Sequence, residues 1–594
     1  MESRNAIKGG EFIVRETLPE EVFIPEEFDE EARMIAQSCQ DFINTEVMPN
    51  LDRLDAHEEG LMPEILKKAG ELGLLGISIP EEYGGFGQNF TTSMLVADIL
   101  GAGYAFSVAY SADTGIGTLP IMYYGNEEQK QKYLPGLASG ELLGAYCLTE
   151  PGAGSDANSG RTKAVLNEAG THYILNGSKM WITNGGFADV LTVFAKIDDD
   201  RILSAFIVER NFPGITFGAE ENKMGIKGSS TVQIFFNNCE VPVENLLGNR
   251  GDGFRIALNI LNLGRIKLGA NVIGASKIAI NQSVQYANER KQFRTLIANF
   301  GAIKYKLAQQ VIKAFANETA VYRMSKNVDD AVKRNTANGM DKGTANVEAQ
   351  REFVIEAALI KVFGSEMLDY VVDEGVQIHG GMGYSAETLI ERGYRDSRIN
   401  RIFEGTNEIN RNVTGDTLIK KGLKGEIPLF EEAEKVAENL DNFPEKPQFN
   451  GNYFDDVLMT VKNFKTVFLL LVDAAHKKFG KKLSREQEII FNFADIIKES
   501  YVAESLYLRV NRLQNLKGEE AGKIYKDILD VYLFDSANII YNQGLEAVYS
   551  FIDEKEQDKY IKALRCLTKV KPVNVKESRR RIADKLIDDN KYMF

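Results

Sequence analysis

The sequence predicts an α+β protein: an N-terminal helical domain, a central antiparallel β-barrel, a helical bundle and an additional C-terminal helical domain. Three observations lead there. None of the 14 prolines falls between Pro242 and Pro428, and because proline breaks helix interiors that gap permits long helices. Ahead of it, short runs rich in β-formers are separated by Gly and Asn turns, as in a small barrel or sandwich. Beyond it, Pro428, Pro444 and Pro447 mark a seam after which helical patterning resumes.

In chain order, residues 1–27 are read as an N-terminal extension. Residues 28–142 form the first helical domain, with helices expected over 29–47, 62–75 and 91–100 and a Gly-rich loop, PEEYGGFGQN, between the last two. Residues 143–250 hold strands at 172–175, 190–196, 204–209 and 231–236. Residues 251–420 form the bundle, where 253–287 and 350–373 carry apolar residues at helical spacing. Residues 421–453 are expected to be a linker, and 454–594 a last helical domain. There is no internal repeat and no low-complexity tract.

Composition narrows the function. The net charge of -15 argues against a duplex nucleic-acid partner, which needs a basic face. An anionic ligand stays possible through local Arg clusters and helix N-termini. The four cysteines and four histidines are scattered, with no CxxC and no HExxH, so no metal site and no disulfide framework is expected, and a reducing compartment fits. The first residues, MESRNAIKGGEF, lack an apolar core and are too acidic for a transit peptide. The expectation is a cytoplasmic protein.

Three segments carry chemistry. In AYCLTEPGAGSDANSG (145–160) the glycines let backbone amides approach a ligand closely; no βαβ unit surrounds them and no GK[ST] follows, so neither dinucleotide motif applies. In KMWITNGGFAD (179–189) the single tryptophan, Trp181, and Thr183 share a strand face that could lie beside a flat aromatic ligand. In QIHGGMGYSAETLIERGYRDSRINRIFEGTNEINR (377–411), Glu404 sits between Phe403 and Gly405, where partial desolvation would strengthen it as a base. Taken singly, each has a plainer reading: a turn, a core tryptophan, a surface glutamate at a helix start.

Together, in this order and spacing, the three segments resemble the acyl-CoA dehydrogenase family over roughly residues 30–420. KMGIKGSSTVQIFF, GFRIALNILNLGRI and ERKQF add to the match. The extra C-terminal region, with FGSE, GGMG and RIFEGTNEI, is similar to the very-long-chain branch. The resemblance implies the helical–β–helical fold, FAD and a homo-oligomer, with a dimer favoured because the C-terminal domain occupies surface otherwise free for tetramer contacts. It implies that Glu404 takes the α proton, and that the stretch from Tyr146 through Thr149 and Gly154 to Ser155 lines the flavin. Trp181 and Thr183 would flank the ring. Arg290, Gln292, Gln377, Gly380 and Gly381 would reach FAD in the neighbouring subunit. Thr406 would close on its phosphates, Glu408 would also contact the cofactor, and Ser155, Asn262, Arg265 and Gly405 would help position acyl-CoA beside the base. Two residues depart from the family pattern: Arg294 follows ERKQF where Gly is common, and Glu408 stands where many members have Gln.

The implied reaction is α,β-dehydrogenation of a fatty, long-chain acyl-CoA to the trans-2-enoyl-CoA in β-oxidation, with an electron-transfer flavoprotein as electron acceptor. The alternatives are an acyl-CoA oxidase and a non-catalytic assembly factor on the same scaffold. Small residues over 107–117 suit either a deep acyl tunnel or close helix packing. The run 461–482 mixes an apolar stretch with six lysines, which suits peripheral membrane contact or a helix packed on the core.

Overall fold

The computed structural model describes residues 7–594; residues 1–6 of the expected extension lie outside the described residues. The first domain opens with helix Glu30–Phe42, whose N-cap Asp29 accepts the Ala32 N–H. Helices Leu61–Glu71, Phe90–Leu100, Ala105–Ser111 and Glu127–Ser139 follow. Asn89 caps Phe90–Leu100 in the same manner.

Eight strands form one sheet, ordered Ile215–Phe217, Thr231–Pro242, His172–Thr183, Lys163–Leu166, Val190–Ile197, Ser204–Glu209 and Leu246–Leu247, with Gly144–Cys147 also paired to Val190–Ile197. The pairings are antiparallel except that Gly144–Cys147 and Lys163–Leu166 run parallel to Val190–Ile197. That central strand is buried on both faces. Val190 and Phe194 face the helices, while Leu191, Val193 and Ala195 face the interior of the β domain, the period-two alternation of a strand.

The proline-free region forms two helices of 37 residues, Gly253–Glu289 and Gly301–Ala337, and then Val354–His379. The run expected over 350–373 is divided: Lys342–Glu352 ends at Phe353 (φ -96°, ψ 30°) before Val354–His379 begins. The apolar pattern continues across the break and conceals it. Within the seam expected as linker, Leu429–Ala437 is an amphipathic helix that buries Leu429 and Ala433.

The last domain contains Tyr453–Phe479, then Gln487–Phe551 broken at Gly518 (φ 80°), then Glu554–Leu567 and Val575–Asp589. It shares one core with the bundle. Buried ions tie the two together: Arg509 donates to Glu318 and Glu26 at 2.8 Å each, and Arg323 pairs with Glu504 at 2.8 Å. The N-terminal strap is threaded into the same seam. Phe12, Ile13, Val22 and Ile24 are buried in the shared core, Thr17 accepts from Arg323, and Arg512 holds the Pro19 and Val22 carbonyls.

Candidate active site

Glu404 occupies the loop between the short turn Arg398–Arg401 and helix Asn407–Leu423. Its backbone is left-handed (φ 57°), as is that of Gly405 (φ 81°). Such a conformation costs a non-glycine residue about 1–3 kcal/mol and persists only when its surroundings enforce it. They do. The Glu404 carbonyl accepts from Arg265 Nε at 3.2 Å and Asn410 Nδ2 at 3.3 Å, and the Gly405 carbonyl from Lys361 Nζ at 2.7 Å and Asn410 Nδ2 at 2.8 Å. Thr406 caps the following helix, its hydroxyl accepting the Ile409 N–H.

Every one of these bonds goes to the backbone. The carboxylate stands apart, and its buried Oε2 has no hydrogen-bond partner. The carboxyl group rests against Gly264: a Cβ built there would lie 2.6 Å from Glu404 Cδ. Desolvation pushes the Glu404 pKa up to about 7, against the opposing fields of Arg265 and Lys361. Among the described residues the Glu404 N–H has no protein acceptor, so a donor lies free beside this carboxyl group.

A cavity opens from this carboxylate. Its wall follows helix Gly253–Glu289 at Gly264, Leu268, Val272, Ala275, Ala279 and Gln282, faced by Ser107, Ser111 and Ala112 from the first domain and by Thr183 from the sheet. From Gly264 to Gln282 the helix advances ~27 Å. Lys267 also lines it, its amine bonded to Thr114 at 2.7 Å and pushed down to about 8 by burial.

The Gly-rich segment follows strand Gly144–Cys147 as an exposed cradle. Gly152 and Gly154 face open space, and Ser155 is exposed. The cradle is pinned from below: Glu150 accepts the Arg161 and Thr162 amides and pairs with the buried Lys179 at 2.7 Å, while the Thr149 carbonyl accepts from Met180. Tyr146 is buried, its ring edge-on to Phe194. Trp181 lies in a β-bulge with φ 60° and is 53% exposed. The bulge replaces simple alternation with Thr183 and holds the indole outside the core. An exposed tryptophan, open glycines and a threonine on the cavity wall together fit a flat ring system with an anionic tail.

Asn262 and Arg265 are buried together, Arg265 Nη1 donating to Asn262 at 2.7 Å; Arg265 reaches the Glu404 backbone, and Asn262 touches it only through Arg265. Glu408 is exposed in the first turn after Thr406. Arg290, Gln292, Gln377, Gly380 and Gly381 form a separate exposed group, drawn together where Tyr286 stacks on His379 at 4.3 Å. The helix that carries Gly264 runs ~37 Å further before reaching Glu289 beside them. Arg294, the departure after ERKQF, sits with Phe293 at positive φ (65° and 50°) in the two-residue turn joining Lys291–Gln292 to Thr295–Leu296. That turn favours glycine, so the substitution is borne as strain.

Sequence reasoning missed Gly264, Lys361 and Asn410. Only Gly264 left a signal, a glycine inside a long helix, which costs about 1 kcal/mol against alanine. Lys361, itself lowered to about 7 by burial, also bonds Asn407 Oδ1 at 2.8 Å. Beyond Asn407, Glu366 pairs with Arg411 at 2.8 Å, and Arg411 with Asp495 of the last domain at 3.1 Å. Lys361→Met removes a positive field from Glu404. The acid limb of the pH–rate profile should then move to higher pH; an unmoved limb would leave Lys361 with only a structural part.

Comparison with known proteins agrees with this geometry. Family models match three segments in order: acyl-CoA dehydrogenase N-terminal domain over 29–141, middle domain over 145–239 and C-terminal domain over 251–419. A further acyl-CoA dehydrogenase C-terminal domain model matches 463–566. A probable acyl-CoA dehydrogenase of Bacillus subtilis is 46% identical over 98% of both chains. The very long-chain specific mitochondrial enzyme of Rattus norvegicus is 44% identical over 61% of this chain and 53% of its own length. A crystal structure of an acyl-CoA dehydrogenase complexed with FAD from Bacillus anthracis superposes with a TM-score of 0.95 at 45% identity, covering 99% of this chain and 100% of that one. The chain belongs to the acyl-CoA dehydrogenase family.

Proposed function

We propose that this protein dehydrogenates long-chain fatty acyl-CoA between the α and β carbons, with FAD as cofactor, yielding the trans-2-enoyl-CoA of β-oxidation. The observation that carries the reading is a buried, partnerless carboxylate at the head of a cavity that follows ~27 Å of helix. An extended alkyl chain advances roughly 1.25 Å per carbon, given C–C bonds of about 1.5 Å, so that length suits close to twenty carbons.

The chain's own residues supply the following. Glu404, titrating near neutrality, removes the α proton. The free Glu404 N–H donates to the thioester oxygen as negative charge develops there. Arg265, Asn410 and Lys361 hold the strained loop so that no reorganisation is needed during the reaction. The cavity walls orient the chain and exclude water. Bound at the Trp181–Gly154 cradle, FAD supplies a two-electron acceptor for the β hydrogen.

The reoxidising partner is proposed to be an electron-transfer flavoprotein. A second copy of the chain is proposed to pack on the face holding Gln292 and Gly380, where Phe293 and Tyr384 are each 89% exposed, an apolar display typical of interaction surfaces. A cytoplasmic location is supported by four free, buried cysteines. Among the described residues no helix is long and apolar enough to cross a membrane. Helix Tyr453–Phe479 is best given the role of a core element: the run 467–472 is buried, and Lys462, Lys465, Lys477 and Lys478 pair with Glu16, Glu504, Asp473 and Asp553. Any membrane contact through 461–482 would be electrostatic.

Anaerobic mixing of the purified protein with palmitoyl-CoA tests the main reading. Loss of oxidised-flavin absorbance is expected. A yellow protein that bleaches with no acyl-CoA would indicate the assembly-factor role, and rapid oxygen consumption at turnover an oxidase.

A further inference from the structure

The distal end of the cavity is closed by a hydrogen-bonded pair on two facing elements. Along the helix seam Leu268, Val272, Ala275 and Ala279 give an apolar or small wall, while Lys267 and Asn271, nearer Glu404, are tied to Thr114 and Ser111 at 2.7 Å each. The seam then ends at Gln282, whose Nε2 donates to the hydroxyl of Tyr104 at 2.9 Å. Tyr104 lines the same cavity and joins the turn Gly101–Gly103 to helix Ala105–Ser111. Its backbone is at φ 51° and ψ -127°, a region in which a bulky residue is a genuine outlier. A glycine in its place would relieve the strain but remove the ring. The fold keeps the tyrosine and ties it across the cavity to a glutamine on the facing helix.

We propose that the Gln282–Tyr104 pair is the distal stop of the acyl tunnel and sets the longest chain the enzyme accepts. The inference rests on the reading that this cavity takes the acyl chain. A methyl end that reaches the pair must either break its hydrogen bond, leaving two polar groups against hydrocarbon, or coil back within walls already filled by the chain. Both penalties begin near the length of ~27 Å spanned from Gly264 to Gln282. Gln282 and Tyr104 are each half-buried, so shortening the glutamine opens the tunnel toward the surface and gives the chain end somewhere to go.

The experiment is kcat/KM of the holoenzyme for saturated acyl-CoA thioesters of increasing length, from well below to well above the tunnel length, with Gln282→Ala and Tyr104→Phe beside the wild type. The wild-type profile should fall steeply for chains longer than about twenty carbons, the length that ~27 Å of helix accommodates. In Gln282→Ala the ratio of kcat/KM for the longest substrate to that for palmitoyl-CoA should rise at least about tenfold, the scale of one or two methylenes gained in a pocket. Tyr104→Phe keeps the ring and loses only the bond, and a smaller rise in the same ratio is expected. A wild-type profile that stays flat to the longest chain, or a Gln282→Ala ratio equal to wild type, overturns the inference while leaving the dehydrogenase reading intact. A wild type that bleaches with no thioester sinks both.

Discussion

Glu404→Gln is expected to abolish flavin bleaching by acyl-CoA while leaving the protein yellow and folded. The amide keeps the size and the strained backbone of the loop, since every hydrogen bond that holds it goes to main-chain carbonyls of Glu404, Gly405 and Thr406. What disappears is the proton acceptor, and loss of a positioned general base lowers rates by roughly 10²–10⁴-fold. Stopped-flow absorbance with palmitoyl-CoA measures this; bleaching at the wild-type rate would remove Glu404 from the chemistry. The same variant carries a stability signature. The Glu404 pKa in the folded protein, about 7, lies above its value of 4.5 when free. Between those two values the folded state binds more protons than the unfolded state, so this group's ionisation costs stability as pH rises, in full above pH 7. Glu404→Gln should therefore melt higher than wild type at pH 8, and the gap should close as pH falls toward 4.5.

Gly264→Ala is expected to cost about 10²-fold in rate, the effect of displacing a reacting group by ~1 Å, without loss of stability. The three nearest atoms to an added Cβ all belong to the Glu404 carboxyl, at 2.6–2.7 Å, and that flexible end moves more easily than the helix. Alanine inside a helix is favoured over glycine by about 1 kcal/mol, so the melting temperature should hold or rise as activity falls. That opposite movement separates displacement of the base from misfolding. Wild-type turnover in this variant would show that the carboxylate does not depend on the glycine seat.

Glu404 was not legible as a base from FEGT alone, which reads as well as a surface glutamate at a helix start; it was singled out by the order and spacing of three separated segments that together resemble the family. The helices of the bundle were legible from missing prolines and apolar spacing. Phe353 was not, because a helix can stop without interrupting that spacing. Trp181 was placed on a strand, but its bulge depends on the pairing of Lys179 and Ile182 with Thr231–Pro242, which no local pattern records. Lys361 and Gln282 read as ordinary helix positions. Each acquires meaning only from a partner distant in the chain, Gly405 or Tyr104, that the fold brings within about 3 Å.

The threading of the N-terminal strap sets an order of assembly. The strap's bonding partners lie 300–500 residues further along the chain: Thr17 accepts from Arg323, and the Pro19 and Val22 carbonyls accept from Arg512. At 5–20 residues per second, roughly 25–100 s separate the emergence of Phe12 from that of Arg512. The strap closes over a seam that must already exist, so a segment made well before that seam is among the last to be built in.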